Sequence, residues 1–434
     1  MAIHPHASPP GGNVCNGLRV KLSRGRNPDF TRSKKEELDD RLTHLSDFGY
    51  KTNTAGTVRM ETISWTLPYL SIYNAAYALF FILFAVVTCF VLNRFLDISP
   101  IGSHNDLSLE GLRGIACLLV FVNHSYTVIA AIGLKSPYMN IQPAYAFEKM
   151  GAFGVSIFFC LTGFLFSSAI KKGIFDFTFF QKRIYRLLPA YLVVSTIVFA
   201  IFMFQRYGQI KTIDEVMTVI RSVYGFGFWG GGIRVGSIWD WSLNVVTWTL
   251  PYEWKYYAAV PFLACAFAIK PLRISLIPLS LIIIYLGYQN EQIMWTYFLT
   301  GFIASYIKQP DSNSIKYVLW SIMPFLFMYA IFGDFKVYAF EMFCATSLFF
   351  MAFIGSRPSI FSNRCIANIG IISYSLYLVH QLSLNLVFNG YSKFINLEQI
   401  STRYFILMQF GAITLAIILS AILYNKIEKR YKIK

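Results

Sequence analysis

Two histidines stand inside long apolar stretches of this chain, His124 and His380. An ionisable side chain in a would-be membrane segment is costly, and it marks function by default. In the stretch LSLEGLRGIACLLVFVNHSY, residues 107–126, Arg113 precedes His124 by eleven positions. Eleven helical residues turn through about 1100°, three turns plus about 20°, so both share one face roughly 16 Å apart. Glu110 falls one turn before Arg113 on nearly the same face. Such a helix carries a charge pair at its mouth and an imidazole deep inside. An imidazole is a general base near neutral pH. A guanidinium suits a phosphate. The competing structural reading is a helix-end anchor and a hydrogen-bonded core histidine.

Four further stretches carry polar groups among apolar ones. In GAFGVSIFFCLTGFLFSSAIKK, residues 151–172, Gly151, Gly154 and Gly163 with Ser156 and Thr162 allow close helix approach. In FFQKRIYRLLPAYL, residues 179–192, Lys182, Arg183 and Arg186 form a basic cluster. It reads as a phosphate cradle or as a headgroup anchor. In VVTWTLPYEWKYYAAVP, residues 245–261, Glu253 sits in an aromatic run and needs a partner. Lys255 points to another helix face, which leaves His124 or an arginine from elsewhere. In NIGIISYSLYLVHQ, residues 368–381, Ser373, Tyr374, Tyr377 and His380 include i, i+3 and i, i+4 neighbours and can line one face. They suit supporting or substrate-facing roles, or a structural polar patch.

The elements that must position these groups are membrane helices. The 434 residues are 56% hydrophobic and 14% charged, against about 25% charged in an average soluble domain. Disorder needs the opposite balance. A soluble enzyme of this length would need more polar surface to cover its cores. The net charge of +16 would suggest nucleic acid in a soluble protein, but here the charges sit between apolar runs. No nucleic-acid partner is expected. The seven cysteines lie mostly in apolar stretches with no Cys-x-x-Cys pair, so no disulfide framework or metal site is expected.

Apolar segments run at about 66–92, 112–134, 151–170, 187–205, 246–269, 273–288, 292–307, 317–333, 338–355, 367–388 and 403–424. A crossing helix takes about 20 apolar residues. The fold class is therefore all-α: a polytopic transmembrane bundle of ten core helices from 112 onward, plus one possible extra helix at 66–92. Residues 1–60 are polar and read as a disordered leader, with Met60 an alternative start. Residues 61–106 hold the extra segment and a connector, and residues 107–434 the membrane domain.

Lys and Arg in short loops set orientation. One side collects sixteen: Lys171, Lys172, Lys182, Arg183, Arg186, Lys270, Arg273, Lys308, Lys316, Arg357, Arg364, Lys426, Lys429, Arg430, Lys432 and Lys434. The other has nine: Lys135, Lys149, Arg206, Lys211, Arg221, Arg234, Lys336, Lys393 and Arg403. The first side, with the C-terminus, is read as cytoplasmic.

Taken in order, these motifs resemble those of the acyltransferase family 3 integral membrane proteins. LEGLRGIACLLVFVNH is similar to the family's Arg-x10-His opening, and GVSIFFCLTGFL to its Phe-Phe-x-x-Ser-Gly-Phe stretch. QKRIYRLLPAYL resembles its Arg-x-x-Arg segment, and WTLPYEWKYYAAVP its Trp-Ser-Leu-x-x-Glu-x-x-x-Tyr stretch. TYFLTGFIASYI, ISYSLYLVHQ and LYNKIEKRYK resemble later segments. The likeness covers about residues 107–431.

The resemblance implies a multi-pass protein of the cytoplasmic (inner) membrane. It would move an acetyl or other short acyl group from acyl-CoA to a hydroxyl of a cell-surface or lipid-linked carbohydrate. Acetyl-CoA or another acyl-CoA would be a donor substrate, with no bound cofactor. Arg113, Lys182, Arg183 and Arg186 would hold donor phosphates. His124 would serve as general base or transient acyl carrier, with Glu253 orienting or balancing it. Glu110, Ser373, Tyr374 and His380 would support these groups or face the acceptor. Acyl-CoA, the carbohydrate or glycolipid acceptor and membrane lipids are the partners expected. Two rival classes use the same residues: a transporter or flippase of a lipid-linked or acidic small molecule, and a structural subunit in which Arg113 and His124 only pack.

Overall fold

Within the described residues, each of the apolar runs named above holds a helix. The structure, a computed structural model, describes residues 50–52, 58–60, 67–99, 106–131, 144–173, 178–289, 293–395 and 402–431. The helices are α1 (Leu67–Leu96), α2 (Leu107–Ala131), α3 (Ala144–Lys172), α4 (Thr178–Gln205), α5 (Ile213–Tyr224), α6 (Leu250–Ala268), α7 (Lys270–Gln289), α8 (Met294–Ala304), α9 (Asn313–Phe332), α10 (Phe340–Ser356), α11 (Arg364–Ile371), α12 (Ser373–Ser392) and α13 (Thr402–Leu423). A π-turn, Tyr424–Glu428, and a short helix, Lys429–Tyr431, follow. Pro189, Pro261, Pro278 and Pro324 lie inside α4, α6, α7 and α9. Membrane helices tolerate proline because neighbouring groups satisfy the freed backbone.

Seven of the described helices are long and apolar enough to cross a bilayer: those holding Ala76–Leu96, Leu107–Ser125, Ala146–Lys172, Phe180–Gln205, Lys270–Gln289, Asn313–Phe332 and Tyr404–Glu428. The chain is thus a multi-pass membrane protein. The remaining runs differ in extent from the expectation. The run 292–307 yields the short α8, and 338–355 the short α10. The run 246–269 opens with a 3-10 turn, Val245–Thr249, and α6 starts only at Leu250, with Pro251 in its first turn. Proline fits there because its missing N–H would have had no helical partner. The run 367–388 breaks at Ile372, where α11 and α12 meet at 74°. No proline marks that break; Gly370, two residues before it, lies so close to α2 that a Cβ there would strike the Glu110 carbonyl.

Burial orders the helices. Two-thirds of the apolar windows of α2 and α3 are buried (67%), against 0% for α7 and 17% for α9. So α2 and α3 form the centre, and α7 and α9 present apolar faces such as Ile277, Leu281 and Phe325 outward, as lipid contact requires. Close packing comes from small residues. A Cβ on Gly163 would strike the Phe298 carbonyl of α8, and one on Gly301 would strike the Cys160 carbonyl of α3. These two glycines let the two backbones touch.

α1 belongs to the same compact unit as the rest, Pro68–Lys434. Tyr77 of α1 donates to Gln409 of α13, and Phe84 stacks on Phe410 with centroids 4.4 Å apart. In the leader, Tyr50–Thr52 and Val58–Met60 pair as antiparallel strands β1 and β2, which polarity alone did not suggest. The rest of the leader lies outside the described residues.

The long loop 206–249 is also structured. Helix α5 starts with a capping box, in which Thr212 caps Glu215 and the Glu215 carboxylate returns to the Thr212 N–H. Backbone N–H bonds from Lys211 and Thr212 hold that carboxylate below its ordinary pKa. Strands β3 (Ile233–Val235) and β4 (Ile238–Asp240) form a small hairpin.

Candidate active site

Arg113 of α2, Thr162 and Phe166 of α3, Arg183 and Arg186 of α4, Glu253 and Tyr257 of α6, and Ser373, Tyr374 and Tyr377 of α12 line one cavity. Five helices therefore converge on the residues singled out by type and spacing. Several of the polar wall groups are held. Glu110 accepts from Arg113 Nη1 through both oxygens, at 3.0 and 2.9 Å, as their one-turn spacing allows. The Arg183 guanidinium sits over the Phe166 ring, 4.5 Å from its centroid, and 6.0 Å from that of Tyr257. Aromatic faces attract such a cation. Tyr257 donates to Glu253 Oε2 at 2.7 Å, one helical turn away. Tyr374 donates to the Leu187 carbonyl at 2.7 Å and so ties α12 to α4. Three guanidiniums face or flank two carboxylates, which leaves the cavity positive and suited to a polyanion.

Lys182 does not join this wall. It is exposed, because it lies one residue, or about 100° of helix, from Arg183. Glu110 is not in the wall itself; its carboxylate bonds Arg113, which is. Glu253 does not meet His124: its carboxylate bonds Tyr257 and faces the arginines across the cavity. Of the two partners the sequence left open for Glu253, the structure thus favours the arginines.

His124 stands deeper along α2, outside the cavity wall, and packs against His380 of α12 with ring centroids 5.1 Å apart. Its Nδ1 lies 3.3 Å from Gln381 Nε2 and 3.3 Å from Thr127 Oγ1. His380 is 1% exposed, and its Nδ1 donates to the Tyr377 carbonyl at 2.8 Å. Tyr377 links the two regions. Its hydroxyl bonds the Val246 carbonyl at 3.1 Å and Thr249 at 2.9 Å, its ring lines the cavity, and its carbonyl holds His380.

A second network fixes the loop 225–249 beyond the histidines. Gln381 Oε1 accepts from the Val246 N–H at 3.3 Å. Asn385 donates to Ser242 at 2.7 Å and accepts from Gln205 at 2.8 Å. Asp240, 2% exposed, takes Arg206 at 3.3 Å and the Ser242 N–H at 2.9 Å. Trp229 and Trp239 of this loop are exposed, and Arg234 stacks over Trp239 at 4.9 Å. Along α2 and α12 the order is therefore arginine-lined cavity, Tyr377, paired histidines, aromatic loop.

Two site residues escaped sequence reasoning. Gln381 carried a weak signal, as the neighbour of His380 in a polar stretch. Glu428 carried little: it is 8% exposed and accepts from Ser375, which pins the C-terminal segment to α12.

The family model described as an acyltransferase domain matches residues 106–424. The chain therefore belongs to that acyltransferase family and is an acyltransferase. A curated protein of Shigella phage Sf6, described as an O-acetyl transferase, is 25% identical over 349 residues, covering 76% of this chain and 96% of that one. No solved structure matches the chain.

Proposed function

We propose that this acyltransferase takes an acetyl or other short acyl group from acyl-CoA on the cytoplasmic side of the inner membrane. It passes the group to a hydroxyl of a cell-surface or lipid-linked carbohydrate on the other side. O-acyl transfer as such follows from the family and from the O-acetyl transferase it resembles. The donor, the acceptor and the sidedness are this proposal.

One observation carries the reading. A cavity walled by Arg113, Arg183 and Arg186 shares two helices with a histidine pair lying deeper along them. The arginines hold donor phosphates, which are planar-fork ligands for guanidinium. Glu110 holds the Arg113 guanidinium and the Phe166 and Tyr257 rings that of Arg183. The thioester then reaches past Tyr377 toward His124 and His380. Trp229, Trp239 and Trp241 offer faces on which sugar rings stack, and the Lys and Arg bias supports a position for the loop that bears them away from the cytoplasm. In the transfer the acceptor oxygen bonds to the acyl carbon and the C–S bond breaks. The hydroxyl proton passes through the histidine centre and ends on the CoA thiolate.

The test uses membrane vesicles holding wild type or His124→Ala and radiolabelled acetyl-CoA. Label should leave CoA for the glycan or lipid fraction with wild type and stay on CoA with His124→Ala. Full transfer by a well-expressed His124→Ala protein removes the histidine from the reaction. Flux of a solute with no CoA consumption by wild type replaces the donor reading with transport.

A further inference from the structure

The two histidines divide the chemistry between them, and their hydrogen bonds decide how. The Val246 N–H can only donate, so Gln381 must turn Oε1 toward it. That aims the Gln381 Nε2 group, a pure donor, at His124 Nδ1, 3.3 Å away. His124 Nδ1 must then be bare and accepting, and in a neutral ring the proton sits on Nε2. His380 is set the opposite way. Its Nδ1 faces the Tyr377 carbonyl at 2.8 Å, and a carbonyl only accepts. His380 therefore carries its proton on Nδ1, and its Nε2 is a bare lone pair.

That lone pair is the unusual feature. His380 is 1% exposed, yet among the described residues no group lies within hydrogen-bond reach of its Nε2. Buried polar atoms are nearly always paired, and an orphan calls for a partner from outside the chain. The His124 ring stands beside it at 5.1 Å between centroids, and the two rings do not hydrogen-bond directly. The neighbouring Phe121 ring, 5.5 Å from His380, supplies no polar atom.

We propose that His124 and His380 form a hydroxyl-binding subsite in which His124 donates from Nε2 and His380 accepts the proton at its bare Nε2. A hydroxyl is both donor and acceptor, so one O–H completes both rings. This rests on the O-acyl transfer from acyl-CoA argued above, and it moves the base from His124, where the sequence put it, to His380. In the step, the acceptor O–H bond breaks and its proton goes to His380 Nε2. The oxygen's electron pair forms the bond to the acyl carbon, and the C–S electrons leave with CoA. The Tyr377 carbonyl steadies the imidazolium through Nδ1–H, and the proton returns from Nε2 to the departing thiolate. His124, neutral throughout, holds the hydroxyl oxygen by its Nε2–H.

Two measurements test the division. In 15N-histidine-labelled wild type in lipid nanodiscs, assigned with His124→Gln and His380→Gln, His124 should show a protonated Nε2 and His380 a protonated Nδ1. Any other pair of tautomers overturns the proposal whatever the activity. In the vesicle assay, His380→Gln should lower kcat by about 10²-fold or more with the KM for acetyl-CoA unchanged, as loss of a general base predicts. Gln381→Glu, nearly isosteric, presents an acceptor to His124 Nδ1 and reverses its tautomer. It should lower kcat by at least tenfold, a loss that packing alone would not produce. Wild-type kcat in His380→Gln overturns this proposal alone. Absence of transfer by wild type overturns the acyl-CoA reading beneath it.

Discussion

Gly114 follows Arg113 on α2 and faces α11, the short helix that leads into Ser373 and the cavity wall. A Cβ placed on Gly114 would stand 2.8 Å from the Gly370 nitrogen and 2.9 Å from the Ile366 carbonyl oxygen. Ordinary Cβ contacts begin at 3.4 Å and essentially never fall below 3.0 Å. Both atoms struck are backbone, so no side chain can rotate away. Gly114→Ala must therefore part α2 from α11 by 0.2 to 0.6 Å, the differences between 2.8 Å and those limits. Overpacking of this kind costs about 1–3 kcal/mol. Because a misplacement of about 1 Å can cost 10²-fold in rate, half that shift should cost roughly tenfold in kcat/KM for the donor. Detergent-solubilised protein would be followed by thermal inactivation and by transfer rate against acetyl-CoA concentration. Gly411→Ala is the control, since a Cβ there meets nothing within 4 Å. It should be neutral or up to about 1 kcal/mol stabilising, because alanine is the better helix former. Wild-type stability and kcat/KM in Gly114→Ala would refute the claim that the α2–α11 seam sets the cavity.

The other predictions bear on the walls and the loop. Tyr257→Phe removes the 2.7 Å bond to Glu253 and should destabilise the protein by about 1–3 kcal/mol, as an under-satisfied buried acceptor does; chemical denaturation reads it. Arg206→Ala strips the buried Asp240 of its counter-ion, and hydrogen exchange in 233–242 should rise relative to α3. Protection of the first turn of α5 should depend on acid. The Glu215 carboxylate is held below its ordinary value, so its support is full above that value and lost as pH falls through the lowered one. Hydrogen exchange across that range should report the loss, and Glu215→Gln should flatten it.

Much of this arrangement was legible in residue types and spacing. The Arg113–His124 interval is a helix-period argument, and both residues fall on α2 as the period requires. Glu110, at one turn, pairs with Arg113 for the same reason. Gly163 and Gly154 do let helices touch. Period reasoning says which residues share a face, and not which face meets which helix. It could not choose between His124 and an arginine as the partner of Glu253, nor turn Lys182 away from the arginine wall. The break at Ile372 had no proline to announce it and only Gly370 nearby, a glycine that the packing of α11 against α2 requires. The loop 206–249 folds on tertiary bonds from α4 and α12, such as Tyr191 to the Val223 carbonyl at 2.7 Å. Apart from the Thr212–Glu215 capping box of α5, those long-range contacts leave no local signal to read.

The central claim is that the arginine-lined cavity holds the donor. Equilibrium binding of CoA to purified protein in nanodiscs, wild type beside Arg183→Ala, tests it most directly. A charge-assisted bond contributes about 1.5–3 kcal/mol, so the variant should bind CoA roughly 10- to 150-fold more weakly at unchanged fold. Equal affinity in the two proteins, or no CoA binding by wild type, would contradict the account.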